Sequence, residues 1–377
     1  TKSDLFLVPD PGTLSVLPWR PQQGRVVRFY CDIKNPDGST FWGDTRQVLK
    51  SVLKNAENRG YSCTVGAECE FYLFKTDENG EPTLVPFDNG EYLDVSPLDK
   101  GENVRREICL CLEEMGIKPE TSHHEQGPGQ NEIDFKFSDA LSCADNLVTF
   151  KQVVKSIAAR NGLFASFSPK PLPDKSGSGL HINLSLSQNG RNVFKLGGNG
   201  ESKTAENFVA GVLQKVPEIT AFLNPVPNSY ERFGSFEAPR YVSWSYSNRS
   251  QLVRIPAAHG ERIRMELRSP DPSTNPYLAF ALVIGAGFYG VDNNLPLPED
   301  INMDLYNVDK SITDKLVRLP ENLEDALKLV ETSDFVKSIL SEELISSFIN
   351  LKSFELQAFN LAVDKREYYF NNYFKVI

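Results

Sequence analysis

The sequence predicts an α+β fold rather than a doubly wound parallel sheet. Two observations point there. Strand-like segments and helical runs are mixed along the chain, and several of the strands follow one another in hairpin order.

Residues 1–43 read as short strands cut by turns. Segments 5–8 and 25–32 are separated by Pro9-Asp10-Pro11-Gly12, and Asn35-Pro36-Asp37-Gly38 follows. So short a piece holds no complete core. It is expected to be the C-terminal part of an N-terminal β domain whose remainder lies upstream of Thr1, with a second, larger domain over residues 44–377.

From Asp44 the pattern changes. Asp44 is suited to cap a helix whose apolar face carries Val48, Leu49, Val52 and Leu53 and which ends near Gly60. A strand over 61–74 follows, then a helix over 103–115 stopped by Gly116, strands over 117–124 and 131–137, a helix over 139–161, and strands over 164–167 and 179–187. Gln188-Asn189-Gly190 is a hairpin cue, and the glycines of 197–200 read as a polar excursion. A helix over 204–224, a loop over 228–239, strands over 241–245 and 262–268 and further helices complete the chain. The apolar stretch 277–291 is shorter than the ~20 residues a bilayer span requires, so it reads as a buried helix.

Composition excludes several classes. Hydrophobic residues make up 40% and charged residues 24%, as in an ordinary globular enzyme and unlike a disordered chain. A net charge of −10 with no basic stripe argues against a nucleic-acid partner, and no segment reads as a membrane span. Six cysteines without a C-x-x-C pair fit packing roles in a reducing, cytoplasmic compartment.

The chemistry is concentrated in acids. Glu68 and Glu70, in Gly66-Ala67-Glu68-Cys69-Glu70-Phe71, are two residues apart in a predicted strand, so both side chains leave the same face. Two carboxylates forced together on a half-buried strand repel unless a cation sits between them. Further on, Glu125 and Glu132 flank a glycine-proline turn in His123-His124-Glu125-Gln126-Gly127-Pro128-Gly129-Gln130-Asn131-Glu132. His181 follows Gly177-Ser178-Gly179-Leu180, and Glu266 lies in Arg262-Ile263-Arg264-Met265-Glu266-Leu267-Arg268, where alternation puts Arg264, Glu266 and Arg268 on one face. Five carboxylates and one imidazole form a hard-cation set suited to Mg²⁺ or Mn²⁺, not to a thiolate zinc site. His123 and His124 are read as packing or supporting groups rather than ligands.

These segments, together with Asn228-Ser229-Tyr230-Glu231-Arg232, Glu237-Ala238-Pro239, Asn248-Arg249-Ser250, Arg254-Ile255-Pro256 and Arg268-Ser269-Pro270-Asp271-Pro272, occur in one order along the chain. In that order the sequence resembles the glutamine synthetases, specifically the bacterial type I class. The resemblance implies a curved antiparallel catalytic sheet flanked by helices, preceded by the remnant of a β-grasp domain. It implies ATP-dependent ligation of glutamate and ammonium through a γ-glutamyl phosphate, with two or three Mg²⁺ or Mn²⁺ ions, in a dodecamer of two stacked hexamers.

Residue roles follow from the same resemblance. Glu70, Glu125 and Glu132 would hold one metal, and Glu68, His181 and Glu266 the second. Arg232 would grip the substrate α-carboxylate, near Ser176 and Gly177, and Glu237 would be the flap acid. Arg249 and Arg268 would face the transferred phosphoryl group. Arg254, Arg264, Glu120, Ser185 and Asn183 would lie toward ATP, and Tyr92 would line the ammonium pocket beside Glu125. No G-x-x-x-x-G-K-[ST] loop is present, so cations and arginines must neutralise the phosphates. Three departures from the family pattern stand out: Ser176 where an Asn is usual, Asn183 where a His is usual, and a flap, Phe233-Gly234-Ser235-Phe236, one residue shorter and without its proline. A nucleophile larger than ammonia, such as a polyamine or ethanolamine, is the alternative.

Overall fold

A computed structural model describes residues 4–20, 23–194 and 203–377. The glycines of 197–200 lie outside the described residues. In the N-terminal part, strands β1 (Phe6–Pro9) and β4 (Cys31–Lys34) pair antiparallel, as do β2 (Ser15–Val16) and β3 (Val27–Arg28). The expected single strand over 25–32 is therefore broken in two. At the break, the Tyr30 N–H donates to Thr13 Oγ1 and its hydroxyl to the Asp145 carbonyl, so a tertiary contact overrides the strand-like pattern.

Helix α1 (Thr45–Asn58) begins as its sequence requires, with Asp44 accepting from the Gln47 N–H. Then come β5 (Tyr61–Thr76), β6 (Pro82–Pro86), α2 (Glu102–Glu114), β7 (Pro119–His124), β8 (Gln130–Phe135), β9 (Ser138–Asp139), α3 (Ala140–Arg160), β10 (Leu163–Ser166), β11 (Leu180–Gln188) and β12 (Arg191–Asn192). Asn189 and Gly190 both adopt positive φ between β11 and β12, the two-residue turn that the Asn-Gly pair favours. After α4 (Lys203–Leu223) come β13 (Trp244–Tyr246), β14 (Val253–Ile255), β15 (Met265–Leu267), α5 (Pro276–Asp292), α6 (Lys310–Thr313), α7 (Leu323–Thr332), α8 (Asp334–Ile339), α9 (Glu342–Leu361) and α10 (Lys365–Tyr369).

Two expected strands differ from the sequence reading. The segment 262–268 keeps only β15 as a strand, because Gly260–Arg262 winds into a 3-10 turn before it. The segment 241–245 shifts to β13, which pairs in parallel with β14, a strand too short for periodicity to reveal.

Among the described residues, eleven strands form one sheet whose central path runs β13-β14-β15-β11-β5-β8-β7. β5 is its axis: Cys63, Val65, Ala67, Cys69, Phe71 and Leu73 are buried on one face, and Phe71 meets Phe150 of α3. Helix α5, apolar all round, is almost entirely buried, and no helix among the described residues is long and apolar enough to cross a membrane. The alternation that sends odd-numbered residues of β5 into this core turns Gly66, Glu68, Glu70 and Tyr72 to the other face.

Candidate active site

Register lines up the sequence-predicted acids across that second face. Glu68 of β5 stands opposite His181 of β11 on one side and Asp134 of β8 on the other. One step along, Glu70 stands opposite Glu132, which in turn faces His123 of β7. On the far side, Asn183 pairs with Glu266 of β15, and Glu266 with Arg254 of β14. Side chains directly opposite in antiparallel strands share a face, so residues from six strands converge.

Two cavities open on this face and meet at Glu68, Thr121 and Asp134. The first, of about 380 Å³, is lined by Glu70, Tyr92, Glu125, Glu132, Ser176, Gly177, His181, Arg232, Glu237, Arg249, Arg254 and Arg268 among others. The second, of about 650 Å³, is lined by Glu120, Asn183, Ser185 and Arg264, with Phe137 and Leu184 adding apolar surface. Of the five residues expected toward the nucleotide, four border the second cavity and Arg254 borders the first. Glu266 alone of the candidate residues borders neither, lying fully buried beneath the first.

At the floor of the first cavity, with Glu266 beneath it, Glu68, His181 and Glu266 bring one donor atom each within 4.8 Å of one another. His181 Nδ1 is 3.2 Å from Glu68 Oε2 and 3.7 Å from Glu266 Oε1. Glu266 is ion-paired to both Arg254 and Arg268, and Asn183 donates to Glu68 Oε1 at 2.9 Å while accepting from Arg264 Nε at 2.8 Å. The amide that replaces the family's usual histidine is thus fixed at both ends.

A second trio on this face that could hold a cation consists of His123, Glu125 and Glu132, with His123 Nε2 at 3.3 Å from Glu125 and 3.9 Å from Glu132. The sequence reading set His123 aside; in the fold its ring is part of the donor set. Glu70 lies beside them, but its Oε2 already accepts from the Gly179 N–H at 2.9 Å and from Gln130 Nε2 at 2.8 Å.

Electrostatics bear on whether these residues fit a divalent cation. Burial, reinforced by Glu70, pushes the Glu125 carboxyl up to about 8. Burial and Asp134 hold Glu132 well above its ordinary value, and burial raises Glu70. Burial and Glu68 push Asp134 up to about 8. Burial opposes ionisation of Glu68 too, but the His181 ring overcomes it and holds that carboxyl at about 2. So many carboxyls cannot all ionise in one buried space without a counter-cation, and hard oxygen donors with one or two imidazoles suit a hard divalent ion. The residues present fit the group.

Asp134 was not singled out from sequence. The signal was available: Glu132-x-Asp134 in a strand repeats the spacing of Glu68 and Glu70.

Positive charge closes the first cavity. Arg232 is buried, with Nη1 donating to the Ser269 carbonyl and its Nε without a partner. Glu237 Oε2 is 3.5 Å from Arg249 Nη1 and 3.6 Å from Arg268 Nη2. It sits in a tight turn, closed by the Ala238 N–H donating to the Ser235 carbonyl, in which Phe236 and Glu237 have φ of 48° and 62°. Consecutive non-glycine residues rarely adopt that left-handed conformation. Ser176 faces Gln130 through its hydroxyl, and its carbonyl accepts from Tyr72 at 2.6 Å.

A helix-flanked sheet carrying buried acids between two arginine-lined cavities defines a metal-dependent enzyme that acts on anionic substrates. Comparison with known proteins narrows this. The family model described as glutamine synthetase, catalytic domain, matches residues 42–371. The chain is 45% identical to a glutamine synthetase of Clostridium saccharobutylicum over 99% of this chain and 86% of that protein. It is 47% identical to one of Methanosarcina mazei over 96% of this chain and 82% of that protein. Among solved structures, GmaS in complex with ADP superposes with a TM-score of 0.86 at 31% identity, covering 98% of this chain and 85% of that one. A Plasmodium falciparum glutamine synthetase gives 0.84 at 25% identity, covering 99% and 87%. The chain belongs to the glutamine synthetase family, and with it to the ligases that make glutamine using ATP and divalent metal.

Proposed function

We propose that the chain joins glutamate and ammonium to form glutamine through a γ-glutamyl phosphate at a two-metal site. The observation that carries the reading is the convergence of Glu68, Glu70, Glu132 and His181 on one sheet face between two cavities. Glutamate takes the first cavity and ATP the second, so that the γ-carboxylate and the γ-phosphoryl group meet beside Glu68. Divalent cations held by Glu70, Glu125 and Glu132, and by Glu68, His181 and Glu266, would neutralise the phosphate and carboxylate charges. Mg²⁺ and Mn²⁺ both suit these donors.

The chain's own residues do the rest. Arg232 holds the α-carboxylate beside Gly177 and Ser176. Arg268 and Arg249 face the phosphoryl group as it moves to the γ-carboxylate oxygen, stabilising the charge it spreads. Asn183, Arg264, Glu120 and Ser185 orient the nucleotide, with Arg254 on the boundary between the two substrates. Tyr92 and Glu125 receive ammonium. Once ammonium has lost a proton to a base of the pocket, the ammonia nitrogen attacks the acyl carbon, Glu237 takes a second proton from the adduct, and phosphate leaves with the bridging oxygen. Supporting Glu237 in this role is its place on the turn that faces Arg249 and Arg268. A cytoplasmic dodecamer of stacked hexamers, with residues 1–43 belonging to a separate β-grasp domain, completes the reading.

The test is isotopic. Glutamate carrying ¹⁸O in its γ-carboxylate, incubated with the protein, ATP, Mg²⁺ and ammonium, should pass one label to inorganic phosphate while glutamine forms. Glutamine without labelled phosphate rejects the intermediate, and product from putrescine but not from ammonium rejects the nucleophile.

A further inference from the structure

Beneath the Glu125 side of the first cavity lies a buried polar knot that the reaction as proposed does not use. His124 is fully buried; its Nε2 is 2.8 Å from Asp88 Oδ1 and its Nδ1 is 2.6 Å from the Glu125 carbonyl oxygen. A carboxylate and a carbonyl both only accept, so each ring nitrogen donates. Asp88 Oδ1 also accepts from the N–H of Gly129 at 2.9 Å and of Gly90 at 3.3 Å, and its Oδ2 from the Lys100 N–H at 2.9 Å. The His124 carbonyl accepts from the Leu93 N–H at 3.0 Å.

Asp88, Asp99 and His124 are close enough together to suggest a cation site. Every donor atom is already used, however: Asp99 accepts from Arg105 and from the Gly101 N–H, and Arg105 also reaches Asn131 Oδ1 at 2.7 Å. The knot is therefore a tie between two pieces of chain. One is the segment 88–100, which carries Tyr92; the other is the segment 124–129, which carries Glu125.

The tie matters because the first segment is held chiefly at its buried ends, by Asp88 and by Asp99 on Arg105, while Tyr92 between them rests on the His123 ring, 5.6 Å between centroids, and reaches Arg249. Leu93, Val95 and Leu98 are exposed at 58%, 71% and 62%, and Tyr92 itself at 42%. Its apolar side chains do not anchor it in the core, whereas Asp88 and His124 are buried.

The geometry points to Asp88 and His124 as positioning residues that fix Tyr92 against Glu125, set the width of the pocket between them, and so select ammonium over larger amines. This rests on the proposed ligation of ammonium. A pocket wall displaced by a fraction of an ångström changes the fit of a four-hydrogen cation more than that of ATP or glutamate, whose other contacts lie elsewhere.

The experiment compares the native protein with Asp88→Asn, His124→Gln and Gly90→Ala, each assayed with ammonium and with methylamine as nucleophile. Gly90→Ala leaves both partners in place but puts a methyl group 2.8 Å from His124 Nε2. We expect KM for ammonium to rise about 10- to 100-fold in the first two variants and less in the third. KM for glutamate and ATP should stay within about 2-fold, and the preference for methylamine over ammonium should grow about 10-fold. Peptides covering 88–101 should exchange amide hydrogens faster. An unchanged KM for ammonium, or equal losses for all three substrates, overturns the inference; if Asp88→Asn or His124→Gln fails to fold, Gly90→Ala decides by the same criteria. Native protein that makes no product from ammonium sinks the proposed function instead, so the two failures are distinguishable.

Discussion

Gly179 is the residue on which the site's requirements meet. A Cβ there would lie 2.9 Å from His181 Nε2 and 3.2 Å from both Arg232 Nη2 and Glu70 Oε1, while the Gly179 N–H itself donates to Glu70. Gly179→Ala should lower kcat/KM by about 100-fold through misplacement of these groups. Its cost in urea unfolding should be only about 1 kcal/mol; equal activity in the two proteins refutes the close approach. Glu70→Ala should remove about 10³ in kcat/KM and weaken Mn²⁺ binding measured by calorimetry.

The acids also set a pH dependence. Glu125 and Asp134 titrate near 8 in the folded, metal-free chain, above their ordinary values of 4.5 and 3.8. The native state holds protons that the unfolded chain releases, so this contribution to stability is complete below about pH 4 and is lost as pH rises through about 8. Divalent ions offset the loss. The rise in Tm on adding Mn²⁺ should therefore be larger at about pH 8.5 than at about pH 6. A larger rise at the lower pH contradicts the assigned shifts.

At the scale of elements, strand register does what no single residue can. One residue of slip between β5 and β11 would turn Glu68 away from His181 and into the core. That register is backed by the helices on the far face, where α4 and α5 approach unusually closely. A Cβ on Gly290 would strike the Asn207 carbonyl and lie 2.6 Å from the Gly211 N. Gly290→Ala should destabilise by about 1–3 kcal/mol in urea, because the clash is with backbone that cannot rotate away. A variant as stable as the parent shows that these helices can separate freely. The flap turn is the opposite case: Phe236 and Glu237 hold left-handed backbone without glycine, and that strain places a carboxylate between two arginines.

At the scale of the molecule, Arg46 joins the N-terminal strands to the catalytic body. Its buried guanidinium meets Asp145 of α3 at 2.9 Å, Asp10 at 3.0 Å and Asp32 at 3.3 Å. Removing one partner of a buried ion network leaves the others uncompensated. Arg46→Ala should expose residues 4–43 to proteolysis and amide exchange at denaturant concentrations where the catalytic sheet is still protected. Uniform loss of protection across the chain rejects the linking role.

Most of the acid face was legible in the sequence, because period-two alternation fixes which side chains share a strand face regardless of what packs behind it. Glu68 with Glu70 and Glu266 with Arg268 follow from that rule, as do the Asp44 cap and the Asn189-Gly190 turn from local backbone preference. Packing against distant chain broke the strand at 25–32, and a three-residue strand at 253–255 carries too few residues for any period to show. His123 among the acids and the Asp88–His124 tie were decided only by tertiary structure. Each depends on strands distant in sequence meeting in one register, and register is set by the burial of the opposite face, which no local stretch of sequence contains.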